Sequence, residues 1–371
     1  MNKRLFLYAF TPMVLATILA LTGCSGDKPT SSPDPQPSSL PGDTTASPEP
    51  PADPLDDGIL VVDQSGNGEF TTVQEALLKV PRNNDDPVTI YVKKGVYDEK
   101  LYVIRPNIRL IGEDLEETII THNDNADSIG PTGQKMGTKG SATMTITADG
   151  FYAENLTFQN SNPVAQAVAL YVESDKAIFN RVRIIGDQDT LYANGGRQYY
   201  KDSYIEGTTD FIFGAATAVF DNCIIHSKKE SYITAASTPE DQEYGYVFRN
   251  CKLTAASSGV RDGYVYLGRP WRHHANVIFY NTEMGPHIKP EGWHNWGDPT
   301  KEATARYAEY GSTGPGANPE ARVSWSRQLT DEEAAKLTPT NILGGSDGWD
   351  AEQDLKERSE QVLRDVAVLG A

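Results

Sequence analysis

Two aspartates stand at equivalent points of a short repeated pattern. Asp189 lies seven residues after Val182, in the segment that begins RVRI. Asp210 lies seven residues after Ser203, in the segment that begins DSYI. If the segments are strands on adjacent coils of a parallel structure, the two carboxylates are about one strand spacing, ~4.8 Å, apart. Neighbouring carboxylates repel, so one of them retains a proton more strongly and the pair can act as acid and nucleophile. Solvated loop positions or a calcium site would have the same spacing.

These two segments belong to a set that shares one pattern. A polar residue comes first, and the second and fourth residues are of types that can point into a core. The members are NLTF from Asn155, RVRI from Arg181, DSYI from Asp202, NCII from Asn222, NCKL from Asn250 and NTEM from Asn281. Constant strands at irregular intervals predict a β-solenoid whose insertions become loops on one face. A β-sandwich is the alternative, but it requires hairpin turns between neighbouring strands, and few appear. We therefore expect an all-β chain folded as a single-stranded right-handed parallel β-helix.

Helical patterns are found near both ends of this region. The stretch TTVQEALLKVP from Thr71 to Pro81 has apolar residues at helical spacing and is predicted to cap the open N-terminal end of the solenoid. The segment LTDEEAAKL from Leu329 and the stretch from Ala351 to Leu369 also have a helical pattern. We expect this C-terminal helical segment to have a structural role.

The N-terminal residues indicate export. Lys3 and Arg4 precede an apolar run from Leu5 to Leu21, the pattern of a signal peptide. The run ends in LTGC, which resembles the lipobox of bacterial lipoproteins, so residues 1–23 are predicted to be a lipoprotein signal peptide and Cys24 the lipidated first residue. We expect an anchor in the bacterial cell envelope, at the outer membrane; an ordinary signal peptide, giving a secreted or periplasmic protein, is the alternative.

Composition defines the remaining organisation. Residues 24–57 are rich in proline, serine and acidic residues and lack aromatic residues, which predicts a disordered tether. Residues 58–371 show no second linker and are predicted to form one domain. The formal net charge of −18 excludes a nucleic-acid partner, which would require a basic stripe. No second apolar run is long enough to span a bilayer, so membrane contact is expected only through the lipid anchor.

Five sequence blocks carry a family resemblance. They are GVYDE at 95–99, QAVAL at 166–170, GDQDTLY at 186–192, DFIFG at 210–214 and LGRPW at 267–271. Present together and in this order, they resemble the pectin methylesterase family, and the resemblance extends from about Gly58 to past Trp349. It implies hydrolysis of the methyl esters of polygalacturonate, giving pectate and methanol, as part of pectin degradation.

The resemblance also implies roles for individual residues. Asp210 matches the nucleophile, and Asp189 matches the general acid that later acts as general base. Gln166 and Gln188 match the amides that stabilise the oxyanion, and Arg269 matches the arginine that orients the nucleophile and contacts substrate. The residues expected to bind methylated pectin or an oligogalacturonide are Thr138, Gln166, Tyr192, Phe213, Arg269, Trp271 and Trp293. Tyr97 is expected to be structural, no cofactor is implied, and we expect a monomer.

The cysteines and histidines leave alternatives open. Cys223 and Cys251 fall at the same register on successive coils, a separation compatible with a disulfide. Relatives place a cysteine pair at positions matching Ser203 and Cys223, so the usual partner of Cys223 is absent here. Either Cys251 bonds to Cys223, or the two thiols stack in the core. The histidine spacings do not resemble a zinc site, and no catalytic metal is expected.

Three other functions compete. A polygalacturonase on the same solenoid would show NTD, GHG and RIK blocks, and none of them occurs. A pectate lyase would need a calcium-binding acidic cluster with a basic proton abstractor. A binding protein that had lost catalysis would lack one of the matched acid, amide or arginine residues, and all of them are retained.

Overall fold

The computed structural model of the protein describes residues 58–369. The predicted signal peptide, the lipidation site at Cys24 and the tether lie outside the described residues. Within the described range the chain is a stack of coils, each contributing short strands to three sheets, and every pair of neighbouring strands in these sheets is parallel. This is the expected parallel β-helix.

The strands of residues 58–369, in chain order, are β1 (Ile59–Val62), β2 (Val88–Val92), β3 (Gly95–Asp98), β4 (Leu101–Val103), β5 (Ile108–Gly112), β6 (Thr118–His122), β7 (Met144–Ile146), β8 (Tyr152–Glu154), β9 (Thr157–Asn160), β10 (Leu170–Glu173), β11 (Ala177–Asn180), β12 (Arg183–Ile185), β13 (Leu191–Gly195), β14 (Arg197–Lys201), β15 (Tyr204–Gly207), β16 (Ile212–Gly214), β17 (Thr217–Asp221), β18 (Ile224–Ser227), β19 (Tyr232–Ala236), β20 (Tyr246–Arg249), β21 (Lys252–Ala255), β22 (Tyr266–Gly268), β23 (Asn276–Tyr280), β24 (Glu283–Met284), β25 (Arg306–Tyr310) and β26 (Arg327–Gln328). The helices are α1 (Val73–Lys79), α2 (Gly137–Gly140), α3 (Asp331–Ala334), α4 (Pro339–Leu343) and α5 (Ala351–Leu369), with short 3-10 turns at Pro299–Lys301 and Pro319–Ala321.

Sheet A contains β1, β2, β5, β8, β11, β14, β17, β20, β23, β25 and β26. Sheet B contains β3, β6, β9, β12, β15, β18, β21 and β24, and sheet C contains β4, β7, β10, β13, β16, β19 and β22. One complete coil therefore contributes a strand to sheet A, then to sheet B and then to sheet C. The next coil begins one strand spacing further along the solenoid axis.

The repeated pattern marks the turn from sheet A to sheet B. Its six segments lead into β9, β12, β15, β18, β21 and β24, all in sheet B. The first residue of every segment, from Asn155 to Asn281, has a positive φ between 48° and 62°. Asparagine and aspartate tolerate this left-handed conformation better than other non-glycine residues, which explains the polar residue at the start of the pattern.

The interior is filled by side chains that stack from coil to coil. Five aromatic rings in sheet A form one ladder with centroids 4.5–4.7 Å apart and ring planes within 8–12° of each other. The members are Phe179, Tyr200, Phe220, Phe248 and Phe279. Because the ring spacing matches the strand spacing, each ring packs on the ring at the same position of the next strand. A change of strand register would therefore disrupt the packing of the core.

Helices cover surfaces that the sheets leave open. Helix α1 buries Val73, Ala76 and Leu77 against the first coils, as its predicted capping role requires, and the Glu99 carboxylate accepts hydrogen bonds from the backbone N–H groups of Val73 and Gln74 at 2.8 and 3.0 Å. Helix α5 packs differently, on the outer face of sheet A. No helix within residues 58–369 is long and apolar enough to cross a bilayer.

Cys223 and Cys251 are both buried free thiols. They precede β18 and β21, whose register pairs Ile224 with Lys252, so the cysteines occupy the same position on adjacent coils. Each Sγ lies within hydrogen-bonding distance of backbone carbonyls, including Phe220 O for Cys251 at 3.3 Å. Of the two alternatives, the structure has the stacked thiols.

A buried ion pair ends the aromatic ladder. On the coil after Phe279, the register places Glu309, and its carboxylate accepts hydrogen bonds from Arg322 at 2.6 and 3.1 Å. The two side chains are 4% and 3% exposed. We expect Arg322→Met to lower the free energy of unfolding by about 3–5 kcal/mol, because it leaves an uncompensated buried carboxylate. Urea unfolding followed by circular dichroism measures this change.

The matched control is Lys252→Met. Lys252 also pairs with a glutamate, Glu283, at 3.0 Å, but both side chains are more than half exposed, so we expect a change below about 1 kcal/mol. Combining Arg322→Met with Glu309→Leu should recover much of the loss. If Arg322→Met and Lys252→Met lowered the free energy of unfolding equally, burial of the ion pair would not explain the effect of Arg322→Met.

Candidate active site

A cleft of about 260 Å³ lies on the outer face of sheet C. Sequence blocks on separate coils converge on it because sheet C stacks the ends of β10, β13, β16, β19 and β22 side by side. Its lining residues are Thr138, Lys139, Gln166, Gln188, Asp189, Tyr192, Asp210, Phe213, Ala235, Arg269, Trp271 and Trp296. Every residue predicted to act at the site lines this cleft, with the exception of Trp293.

The two aspartates occupy equivalent backbone positions, as their spacing predicts. The register pairs Leu191 with Ile212, which places Asp189 beside Asp210 on adjacent coils. Both have a left-handed backbone, with φ of 66° for Asp189 and 51° for Asp210. The ladder holds them there: Asp189 N donates to Thr209 O at 3.0 Å. Aspartate tolerates this conformation better than most non-glycine residues, as at the turns into sheet B.

Arg269 forms a two-point ion pair with Asp210. Its Nε donates to Oδ1 at 2.9 Å and its Nη2 donates to Oδ2 at 2.6 Å. The guanidinium is held between two rings, 3.9 Å from the centroid of Tyr232 and 3.7 Å from that of Trp296. A planar guanidinium matches a carboxylate in this geometry and stacks on aromatic faces, so Arg269 fixes the orientation of Asp210.

The second carboxylate lacks such a partner. Burial, followed by repulsion from Asp210, raises the pKa of Asp189 to about 7. Hydrogen bonds from Gln166 and Gln188 oppose this rise, and Gln166 Nε2 donates to Asp189 Oδ2 at 2.9 Å. Burial also raises the pKa of Asp210, but the hydrogen bonds and charge of Arg269 counteract the effect of burial. Around neutral pH the site therefore combines a carboxylate held by arginine with a carboxyl group that still binds a proton.

Amide donors and aromatic rings form the rest of the cleft. Gln166 and Gln188 pair through their backbones on adjacent coils, so their side chains start from the same edge as Asp189. Tyr192 stacks on Phe213 with centroids 4.1 Å apart, and Trp271 lies 5.9 Å from Phe213. This apolar wall beside the carboxylates can hold a small apolar group such as a methyl.

Helix α2 also contributes to the lining of the cleft. Thr138 lies on this helix and lines the cleft, where it was expected as a polar contact. The next residue, Lys139, was missed by the sequence reasoning. Its Nζ lies 4.3 Å from the ring centroid of Tyr171 and 3.3 Å from the Glu173 carboxylate, so its charge is already paired.

The prediction that Trp293 contacts substrate needs correction. Trp293 is 1% exposed, and its ring stacks on that of Tyr307 inside the solenoid with centroids 4.2 Å apart. A backbone bridge pairs Trp293 with Gly268 at the end of sheet C, and in this position the indole faces inward. Trp296, three residues later, lines the cleft and packs on Arg269 instead. Both tryptophans stand in the same short segment, so spacing alone did not distinguish them.

A second cavity shares no lining residue with this cleft. This larger cavity, of about 400 Å³, lies beside sheet A and is lined by Arg306, Trp325 and Leu337 among others, but neither Asp189 nor Asp210 lines it. Among residues 58–369, no group of three or more histidine, cysteine, aspartate or glutamate side chains is arranged to hold a metal ion.

Comparisons with known proteins agree with this assignment. The family model described as Pectinesterase matches residues 59–346. Pectinesterase 31 of Arabidopsis thaliana is 39% identical over 302 residues, covering 79% of this chain and 92% of that protein. Among solved structures, pectin methylesterase PemA from Erwinia chrysanthemi is 34% identical with a TM-score of 0.71, covering 79% of this chain and 97% of that one. The pectin methylesterase from Aspergillus niger is 33% identical with a TM-score of 0.71, covering 79% and 96%.

The matched region extends over most of the described residues and includes both coils that carry the aspartates. The family's structural relatives share the stack of parallel coils seen here. This chain belongs to the pectinesterase family.

Proposed function

We propose that this protein is a carboxylic ester hydrolase that removes methyl groups from pectin, with Asp210 as nucleophile and Asp189 as general acid and base. The observation that carries the proposal is the two-point bond from Arg269 to Asp210, beside a second buried carboxyl group whose pKa is about 7. Nucleophile and acid need opposite protonation states at one pH, and this arrangement supplies them. The family supports pectin as the substrate class, and related pectin methylesterases have been solved in complex with a hexasaccharide.

The first half of the reaction forms a covalent intermediate. A carboxylate oxygen of Asp210 attacks the ester carbonyl carbon, and the carbonyl oxygen becomes an oxyanion. Gln166 and Gln188 donate amide hydrogens to it; Gln166 has a second N–H besides the one bonded to Asp189. The C–O bond to the methoxy group then breaks, Asp189 gives its proton to the methoxy oxygen, and methanol leaves an anhydride between Asp210 and the galacturonate.

The second half restores the enzyme. Asp189, now a carboxylate, takes a proton from water while the water oxygen attacks the anhydride carbonyl. The anhydride bond to Asp210 breaks, which regenerates the Asp210 anion and releases a galacturonic acid group that then loses its proton to the solvent. During both halves Thr138, Tyr192, Phe213 and Trp271 hold the sugar and its methyl group. Each step uses only side chains of this chain and water.

We further propose that the enzyme acts as a monomer attached to the bacterial outer membrane through a lipid on Cys24. The support is the sequence LTGC at the end of the apolar run, followed by a proline-rich tether that would let the catalytic domain reach a polymer. A secreted or periplasmic protein is the alternative outcome.

The nucleophile assignment predicts the effect of one substitution. We expect Asp210→Ala to reduce methanol release from highly methylated pectin at least about thousandfold, because no other carboxylate is oriented by Arg269. The assay includes a metal chelator and monitors ultraviolet absorbance, since a lyase would produce an unsaturated, absorbing product. Asp86→Asn, at an exposed position of the loop before β2, is the control and should leave the rate unchanged. Rising absorbance, or an active Asp210→Ala variant, would overturn the assignment.

The protonation states predict a pH profile. Asp189 must hold a proton to release methanol, so the rate should fall as pH rises through about 7, the pKa of Asp189. The acid limb reflects protonation of Asp210. Gln166→Leu removes a hydrogen bond that stabilises the Asp189 carboxylate, so it should raise the pKa of Asp189 and move the alkaline limb upward by about one pH unit. A limb that stays in place in this variant would argue that Asp189 is not the titrating acid.

The proposed lipid on Cys24 predicts whether the protein is found with the membranes after cell fractionation. In bacteria fed labelled palmitate, the full chain should carry label and sediment with membranes, since two or more acyl chains hold a lipoprotein stably. Cys24→Ala should lose the label. Label retained in this variant would refute Cys24 as the lipidation site, and a wild-type protein free of label and of membranes would favour the secreted or periplasmic alternative.

A further inference from the structure

The register that aligns the two aspartates continues along sheet C to two tyrosines. Ile212 pairs with Thr234, which places Tyr232 beside Asp210, and Asp210 N donates to Tyr232 O at 2.8 Å. Tyr232 in turn pairs with Tyr266 on β22. The row Asp189, Asp210, Tyr232 and Tyr266 thus crosses four successive coils at one position. At one strand spacing per coil, Tyr266 lies roughly 10 Å from Asp210 along the cleft axis.

The rings of this row form a flat platform. Tyr232 and Tyr266 stack with centroids 5.2 Å apart and planes 11° from parallel. Arg269 covers Tyr232, whereas Tyr266 remains partly exposed. His294 lies 5.3 Å from the Tyr266 ring and closes one side. A partly exposed tyrosine face of this kind suits the apolar C–H face of a sugar ring.

A lysine without an anionic partner lies beside the platform. Lys289 Nζ is 4.8 Å from the Tyr266 centroid, and within residues 58–369 no carboxylate lies within ion-pair distance of it. Its backbone is fixed, because Lys289 N donates to Val265 O at 2.8 Å. The contrast with Lys139 at the other end of the cleft is informative, since that charge is paired with Glu173. Beyond Asp210 along this row, Lys289 therefore offers a positive charge that no carboxylate of the described residues neutralises.

We propose that Tyr266 and Lys289 form a subsite for an unesterified galacturonate unit of the substrate chain. The inference rests on the proposed function. The sugar ring stacks on Tyr266, and its carboxylate pairs with the Lys289 ammonium. A hexose unit and its linkage advance a polysaccharide by about one strand spacing, so this unit lies about two units from the ester held at Asp210. A methyl ester carries no charge and gains nothing from Lys289.

This subsite makes the enzyme favour esters at the edge of a stretch that has already lost its methyl groups. The formal net charge of −18 disfavours binding of a polyanionic chain to the protein as a whole. A carboxylate of the substrate is therefore accepted best beside a local positive charge such as Lys289. Demethylation then proceeds more readily beside its own products than at isolated positions, because a product unit occupies the subsite when the next ester is attacked.

The test measures binding of unesterified hexagalacturonate to the folded enzyme by calorimetry at low ionic strength. This ligand has no ester, so its binding does not depend on catalysis. Lys289→Gln should weaken binding about threefold, the effect of one solvent-accessible ion pair, and Lys289→Arg should retain it. Lys252→Gln removes one positive charge from sheet B, far from the cleft, and should bind as the wild type does, which controls for net charge.

Methanol release from the same variants completes the test. Lys289→Gln should lower kcat/KM on half-demethylated pectin about threefold relative to its kcat/KM on fully methylated pectin, through KM rather than kcat. Equal losses on both substrates, or wild-type hexagalacturonate affinity in Lys289→Gln, would refute the subsite while methanol release by the wild type still upheld the esterase. Absence of methanol from the wild type would refute the proposed function itself.

Discussion

The register between successive coils is the constraint on which the rest of the molecule depends. Side chains alternate between the two faces of a strand, so a slip of one residue would exchange the core and the cleft. Two features hold the register: left-handed residues such as Asn222, which precede six of the eight strands of sheet B, and the aromatic ladder from Phe179 to Phe279. The same register sets Asp189 beside Asp210, which is why a catalytic pair can be built from residues on different coils.

The sequence predicts the parts of the fold that depend on short-range rules. The six repeated segments begin with polar residues because the turn into sheet B has positive φ, and this is a property of each residue and its neighbours. Asp189 and Asp210 are brought together because each lies two residues before a strand of sheet C, β13 and β16, and those strands pair in register. What the sequence does not predict depends on surfaces that exist only after the coils have stacked.

Helix α5 and the two tryptophans illustrate that limit. The pattern from Ala351 predicts a helix, but its partner is the outer face of sheet A, assembled from strands far apart in sequence. Trp293 and Trp296 have the same residue type in one short segment, and only the inward turn after the Gly268 bridge decides which indole is buried. Tyr232, beneath Arg269, likewise becomes recognisable only when the register is known.

The electrostatic coupling of the two aspartates would let Asp189 serve first as acid and then as base in the proposed mechanism. Part of the rise in the pKa of Asp189 comes from the negative charge of Asp210. In the proposed mechanism that charge disappears when Asp210 forms the anhydride, and the hydrogen bonds from Gln166 and Gln188 would then favour the Asp189 carboxylate without opposition from a neighbouring anion. Asp189 therefore holds its proton before methanol leaves and becomes a stable base afterwards. Regeneration of the Asp210 anion restores the repulsion, and Asp189 keeps the proton that it took from water.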